Sequence, residues 1–321
     1  MNFSYILDKI RSAPMLEAPF RHIEIHDLFE AEHFEAITRC DDVAMAPARS
    51  DEELFSNLFG AGYRIISFPG CTEDADEYMR WHRQKATTHH TSTACEGFGV
   101  VLRLSEAQTD VGRALQDLLT SDELVACLAE RFDIDRAPCS YDAGVQKYLD
   151  GYEISPHPDV RRKALTFMVN INPSPSSEQD DIHTSYAQFK PEFDYVRHFW
   201  GGNLRMDRCW VPWSWVDVKK QQRSNNSMVI FSPSNDTLHA VKANYDHLTH
   251  QRTQLYGNLW YPQTLTEETP SWEDLQIRAT TDFKTRVKSN IKKFVPEPMA
   301  SAVRRLRGKE RKDDSHADRN V

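Results

Sequence analysis

The chain has 321 residues, of which 40% are hydrophobic and 27% charged, and its net charge is −9. That length supports one large domain or two small ones, with a core that needs no disulfide or structural metal. With 12 glycines and 16 prolines the composition excludes a fibrous or low-complexity chain, and no apolar stretch approaches the roughly 18 residues of a membrane span.

At the N-terminus there is no basic region followed by a long apolar run, so no secretory signal is expected and the setting reads as cytoplasmic. Residues 22–40 read as a strand entering a helix: His22-Ile23-Glu24-Ile25 alternates, and Phe34, Ala36 and Ile37 recur at helical spacing. Short helices are predicted over 51–60 and 73–86, and Tyr63–Phe68 between them reads as a strand. Over 105–132, Val111, Leu115, Leu118 and Leu119 form one apolar stripe, and Leu124, Val125, Leu128 and Phe132 form another. Ser121 is placed to cap the second helix ahead of Asp122 and Glu123.

From there the period changes. Gly144–Leu149, Lys163–Asn170, Cys209–Val218, Ser227–Phe231, Leu238–Ala243 and Thr253–Tyr261 are short, rich in Val, Ile and aromatics, and mostly bounded by turn residues. Helices followed by strands predict an α+β fold, with helices packed outside a β-sandwich or jelly roll. The stretch Asn172–Trp200 opens with Pro/Ser and acidic residues and ends in aromatics. It reads as a long functional loop, a lid whose aromatic half borders a cavity.

Residues 284–312 hold eleven Lys/Arg against Glu297 and Glu310, a net of +9, so the rest of the chain carries −18. An acidic body argues against a nucleic-acid partner, while the basic amphipathic tail could lie on an anionic membrane or dock on the body. The six cysteines (Cys40, Cys71, Cys95, Cys127, Cys139 and Cys209) contain no CxxC pair, which excludes a zinc ribbon and argues against a disulfide scaffold.

The informative segment is Tyr148-Leu149-Asp150-Gly151-Tyr152-Glu153-Ile154-Ser155-Pro156-His157-Pro158-Asp159. In extended backbone His157 and Asp159 face the same way, and they offer one nitrogen and one oxygen ligand. That is two-thirds of a facial triad for non-heme Fe(II). His239, after the apolar strand Met228–Phe231, is the candidate third ligand. Arg252 follows thirteen residues on, at the head of another strand, with a charge suited to a carboxylate. A surface turn for His157 and Asp159, and a surface salt bridge for Arg252, are the alternatives on each motif alone. His89, His90, His183, His198, His247 and His250 compete as ligands but read better as exposed or core histidines.

Taken together, these pieces resemble the iron(II)/2-oxoglutarate-dependent dioxygenase superfamily, in particular its prolyl-hydroxylase-like branch. The matching pieces run in the family's order: Tyr148 and Gly151, His157-x-Asp159, a strand ending at Asn170, Gly201-Gly202-Asn203-Leu204, Asn226 to Phe231, His239 and Arg252. The likeness covers about residues 140–262. It implies a double-stranded β-helix (jelly-roll) core at 136–265, a mainly helical support region at 1–135, and a basic helical tail with a disordered end at 266–321. It further implies that His157, Asp159 and His239 hold Fe(II), that Arg252 binds 2-oxoglutarate, and that Tyr148 donates to the same carboxylate. O2 would be the second co-substrate, with ascorbate a further candidate. Gln254 departs from the Ser or Thr that the family often has there.

The implied activity is oxidation of an unactivated C–H bond in a small molecule (an amino acid, sugar or secondary-metabolite precursor), with release of succinate and CO2. Tyr195 and His198 are expected to touch substrate from the lid. Alternatives are a peptidyl (prolyl-type) hydroxylase, against which stands arginine rather than lysine at 252, and a non-catalytic β-sandwich binding module. Nucleic-acid dealkylation is disfavoured, because Asn258 stands where that branch has a second arginine.

Overall fold

The computed structural model describes residues 1–84, 94, 97–204 and 206–263. The basic tail, its possible membrane contact, Cys95, His89 and His90 lie outside the described residues. No helix among the described residues is long and apolar enough to cross a membrane.

Among the described residues, twelve strands form two antiparallel sheets. In chain order they are β1 (Met15–Leu16), β2 (His22–Ile25), β3 (Tyr63–Ile65), β4 (Val101–Leu104), β5 (Ser140–Tyr148), β6 (Glu153–His157), β7 (Lys163–Asn170), β8 (Thr184–Phe189), β9 (Val216–Gln222), β10 (Met228–Phe231), β11 (His239–Lys242) and β12 (Arg252–Trp260). The larger sheet runs β1-β2-β10-β7-β12-β5-β4-β3 and the smaller runs β6-β11-β8-β9. Seven helices among the described residues accompany them: α1 (Tyr5–Ser12), α2 (Ala31–Arg39), α3 (Asp51–Gly60), α4 (Ala75–Gln84), α5 (Asp110–Thr120), α6 (Asp122–Arg131) and α7 (Tyr195–Gly202).

Strand alternation sorts the core into two layers. On β12, Leu255 and Leu259 join Val145 of β5, Leu165, Phe167 and Val169 of β7, and the apolar stripes of α1, α2, α3, α5 and α6. The opposite face of the same strands meets the smaller sheet. There Met168, Val229, Phe231 and Tyr256 pack with Tyr186 of β8, and Tyr148 packs with Ile154 of β6 and Val241 of β11. Gly257 is required where it stands, because a Cβ there would lie 2.4 Å from the Phe167 ring. Helix caps follow the sequence signals: Ser121 accepts from Leu124 N, and Ser50 from Glu53 N.

The N-terminal region supplies more than helices, since β1 to β4 extend both edges of the larger sheet. The segment Asn172–Trp200 differs from the expected loop. It contains β8, paired with both β11 and β9, and then α7. Thr184 and Tyr186 are buried inside the smaller sheet, so the segment is part of the scaffold and the lid expectation is corrected. The Pro/Ser/acidic opening masked the short alternating run that follows it. Similarly, the strand expected at Cys209–Val218 begins only at Val216, after a short turn through Trp213–Trp215.

One residue on the helix-facing side is charged. Lys147 is fully buried, and its Nζ donates to Val43 O at 2.6 Å and to Thr253 Oγ1 at 2.9 Å. Burial pushes its pKa down to about 7 from 10.5. The unfolded chain therefore binds the extra proton between those values, and the fold is stabilised as pH rises through that window. Replacing Lys147 by Met should remove this dependence. Denaturant titrations at pH 7 and pH 10 should show wild type gaining on the order of 4 kcal/mol relative to the variant.

Candidate metal and co-substrate site

His157 closes β6, His239 opens β11, and the two are Cα partners across the antiparallel pair. Their ring centroids lie 4.2 Å apart. Asp159 stands beyond the end of β6 with φ at 74°, in the left-handed region. A non-glycine residue there costs on the order of 1–3 kcal/mol and persists only where its surroundings hold it. This turn, rather than strand alternation, swings the carboxylate back to the two rings. Asp159 Oδ1 lies 3.6 Å from His157 Nε2, and Oδ2 lies 3.7 Å from His239 Nε2. One donor atom from each residue falls within 4.8 Å of the others, and all three residues are buried.

Both rings present the right nitrogen. His157 Nδ1 lies 2.9 Å from Ser155 O, and His239 Nδ1 lies 3.0 Å from Thr237 O. A carbonyl only accepts, so each Nδ1 carries a proton and Nε2 is the nitrogen left to meet a metal. Burial, followed by the neighbouring His157, presses the His239 pKa down to about 3. Burial alone would raise the Asp159 carboxyl, but Lys163, His239 and His157 hold it well below the usual carboxylate range. Lys163 Nζ donates to Oδ1 at 2.6 Å and Thr166 Oγ1 to Oδ2 at 3.0 Å. Two imidazole Nε2 atoms and one carboxylate on one side of a cavity fit a divalent metal such as Fe(II) with positions left open.

Arg252 heads β12 opposite Tyr148 at the end of β5. It is 2% exposed, stacks 4.2 Å over the Tyr148 ring, and donates from Nη2 to Thr184 Oγ1 at 3.0 Å. Its Nη1 is buried with no partner among the described residues, and so is Gln254 Oε1 beside it. A buried guanidinium nitrogen left unpaired is costly unless an anion meets it. The Gln146 amide satisfies both neighbours when its oxygen accepts from Arg103 at 2.6 and 3.1 Å and its nitrogen donates to the Tyr148 hydroxyl at 2.5 Å. The phenol proton is then free to be donated. Burial raises the Tyr148 pKa against the pull of Arg252, so the phenol stays protonated.

His157, Asp159, His239, Arg252, Tyr148 and Gln254 all line one cavity of about 430 Å³. Gln254, on the cavity side of β12, replaces the expected small hydroxyl, while Thr253 faces Lys147 on the other side. Tyr195 and His198 do not line this cavity. Tyr195 is 59% exposed, and His198 pairs with Asp194 at 3.4 Å. α7 buries Val196 and Trp200 and turns the opposite face outward, so the structure does not bring these two residues to the cavity where substrate contact was expected. Sequence reading also missed Lys163 and Thr184. Lys163 heads a strand four residues after Asp159, the one local signal that could have found it.

No protein-family model matches the sequence, and no curated protein matches it. Among solved structures the chain is similar to a prolyl-4-hydroxylase from Pseudomonas putida, at 9% identity and TM-score 0.37, covering 82% of this chain and all of that one. A 2OG-Fe(II) oxygenase family oxidoreductase from Burkholderia pseudomallei matches at 12% identity and TM-score 0.27, covering 68% and 94%. The alpha-ketoglutarate-dependent epimerase SnoN of nogalamycin biosynthesis matches at 12% identity and TM-score 0.33, covering 85% and 95%.

A second cluster ties helices to the strand ends that carry the cavity residues. Asp51 of α3 accepts from His82 Nδ1 of α4 at 2.7 Å and from His247 Nε2 at 2.8 Å. Asp150, just past Tyr148, lies 3.5 Å from His82 Nε2 and donates its backbone N–H to His247 Nδ1 at 3.1 Å. The spacing of Asp51, His82 and His247 could also hold an ion. However, their ring nitrogens already face hydrogen-bond partners, so the cluster is structural. Burial works against the charged forms, but the two carboxylates raise the His82 pKa to about 9 from 6.5, and the two histidines hold Asp51 well below the carboxylate range. The His82 contribution is therefore full below about pH 6.5 and lost as pH rises through about 9. Asp51→Asn should lower stability by about 3 kcal/mol at pH 7, and the deficit should shrink above pH 9, as read by denaturant midpoints.

Proposed function

We propose that the chain is an Fe(II)- and 2-oxoglutarate-dependent oxygenase acting on a C–H bond of a small molecule. One observation carries the reading: Arg252, whose buried Nη1 has no partner among the described residues, lines the same cavity as His157, Asp159 and His239. A metal triad alone would serve many chemistries. A buried cation without a fixed carboxylate, across one cavity from that triad, asks for a ligand that reaches both, and a chelating 2-oxo diacid does so. On this reading the two sheets form a double-stranded β-helix, with residues 136–265 as catalytic core and 1–135 as support.

His157 and His239 would hold the metal through Nε2, and Asp159 through a carboxylate oxygen. Arg252 would take the distal carboxylate of 2-oxoglutarate, with Tyr148 donating to the same group and Gln254 beside it. When bound, iron and 2-oxoglutarate supply an O2-driven oxidation that releases succinate and CO2 and oxidises a C–H bond. The protein's share is position and dryness: Phe68, Tyr152, Met168 and Tyr256 wall the cavity. Retention of the Asp159 carboxylate favours hydroxylation or desaturation over halogenation, since no ligand position is vacated for a halide.

The test is succinate formation from 2-oxoglutarate, with Fe(II) retention measured in parallel by anaerobic dialysis. His239→Ala should lose the metal and the turnover together. Arg252→Ala should retain Fe(II) but need about a hundredfold more 2-oxoglutarate, the effect of deleting one partner of a buried charge pair. If wild type binds no Fe(II), or makes no succinate with Fe(II) bound, the reading fails in favour of a binding module or another metal enzyme.

A further inference from the structure

Among the cations that line the cavity, Lys163 is the one that touches the proposed metal ligands without a role in the proposed chemistry. Lys163, at the head of β7, has a side chain only 10% exposed, and it lines the cavity. Its Nζ donates to Asp159 Oδ1 at 2.6 Å and to Tyr256 Oη at 3.0 Å, and it lies 5.4 Å from the Trp260 ring centroid. An ammonium has three N–H donors, so one remains beyond these two partners.

The balance of charge in the loaded site gives that donor a use. A divalent metal, Asp159, doubly charged 2-oxoglutarate and Arg252 cancel one another. Lys163 is then left as one unbalanced buried positive charge, an arrangement that is costly without a counter-ion. The rest of the lining adds none. Asp142 is engaged by Arg103, and the exposed Asp207 is outnumbered by Arg162 and Arg208, which are likewise exposed and line the same cavity without an ion pair among the described residues. This cationic lining sits in a body that carries −18 outside residues 284–312, so it does not follow the background charge.

Resting on the oxygenase reading, we infer that the substrate carries a compact anionic group, a carboxylate or phosphoryl, and that Lys163 binds it beside the metal with Tyr256. Arg162 and Arg208 at the exposed side of the cavity draw the same charge inward. Lys163 is thus a specificity-determining residue: it selects substrates by charge and also anchors the oxygen of Asp159.

The experiment uses the full chain loaded with Mn(II) in place of iron and with saturating 2-oxoglutarate, so that Arg252 is occupied. Two probes of one shape, benzoate and benzamide, are compared by the paramagnetic relaxation of their ring protons. The expected result is binding of benzoate about tenfold tighter than benzamide in wild type and in Lys163→Arg, with the preference lost in Lys163→Met. Equal response to the two probes, no response to either, or a preference that survives in Lys163→Met would overturn the inference. Loss of 2-oxoglutarate binding in a Lys163→Met protein that still holds Mn(II) would also overturn it, by showing that Lys163 serves the co-substrate. Failure of wild type to hold Mn(II), seen in water-proton relaxation, would instead strike the oxygenase reading itself.

Discussion

β12 lies between β5 and β7 at the centre of the larger sheet, and its period-2 alternation divides the molecule. Arg252, Gln254, Tyr256 and Asn258 face the cavity, while Leu255 and Leu259 face the helices. A shift of one residue in register would exchange these sets, putting an arginine into the apolar core and leucines where Arg252 and Gln254 now face the cavity. The register is held from several sides. Tyr245 donates to Tyr148 O and accepts from Arg252 N at 2.9 Å, which pins the two facing residues. Asn172 accepts from Thr253 N at 2.8 Å, and Phe167 fills the space that Gly257 leaves.

The smaller sheet contributes the other half of the site through a single register. Pairing His239 with His157 places two imidazoles side by side, and the left-handed turn at Asp159 closes the set. Such a turn is strained for aspartate, and Lys163 and Thr166 grip its two oxygens. The same lysine that steadies the ligand leaves excess positive charge in the cavity. On the proposed reading, structure and substrate charge are linked through one side chain.

Much of this was legible locally. His157, Asp159 and His239 stand at or beside strand ends, and Arg252 at a strand head, so short-range spacing and order expose them. Lys163–Asn170 was readable to the residue because both ends are marked by a change of polarity. The rest depends on contacts distant in sequence. Asp51, His82, Asp150 and His247 share no local pattern, and Asp51 and His247 are 196 positions apart. β8 carried a readable alternation through Thr184 and Tyr186, but the Pro/Ser/acidic lead-in outweighed it. The aromatics of α7 suggested a packing face, yet only Val196 and Trp200 turn inward. Lys163 had no reason to stand out until Asp159 was seen to reach it.

The central claim is that His157, Asp159, His239 and Arg252 together hold one metal and one 2-oxo diacid. Visible absorption of the anaerobic protein with Fe(II), before and after 2-oxoglutarate is added, tests this without needing the substrate. Chelation of Fe(II) by the 2-oxo acid group should add a charge-transfer band that saturates at one 2-oxoglutarate per chain. The band should be absent in Asp159→Ala with His239→Ala, and in Arg252→Ala it should appear only at much higher 2-oxoglutarate. A protein that retains Fe(II) but develops no such band with 2-oxoglutarate would contradict the account.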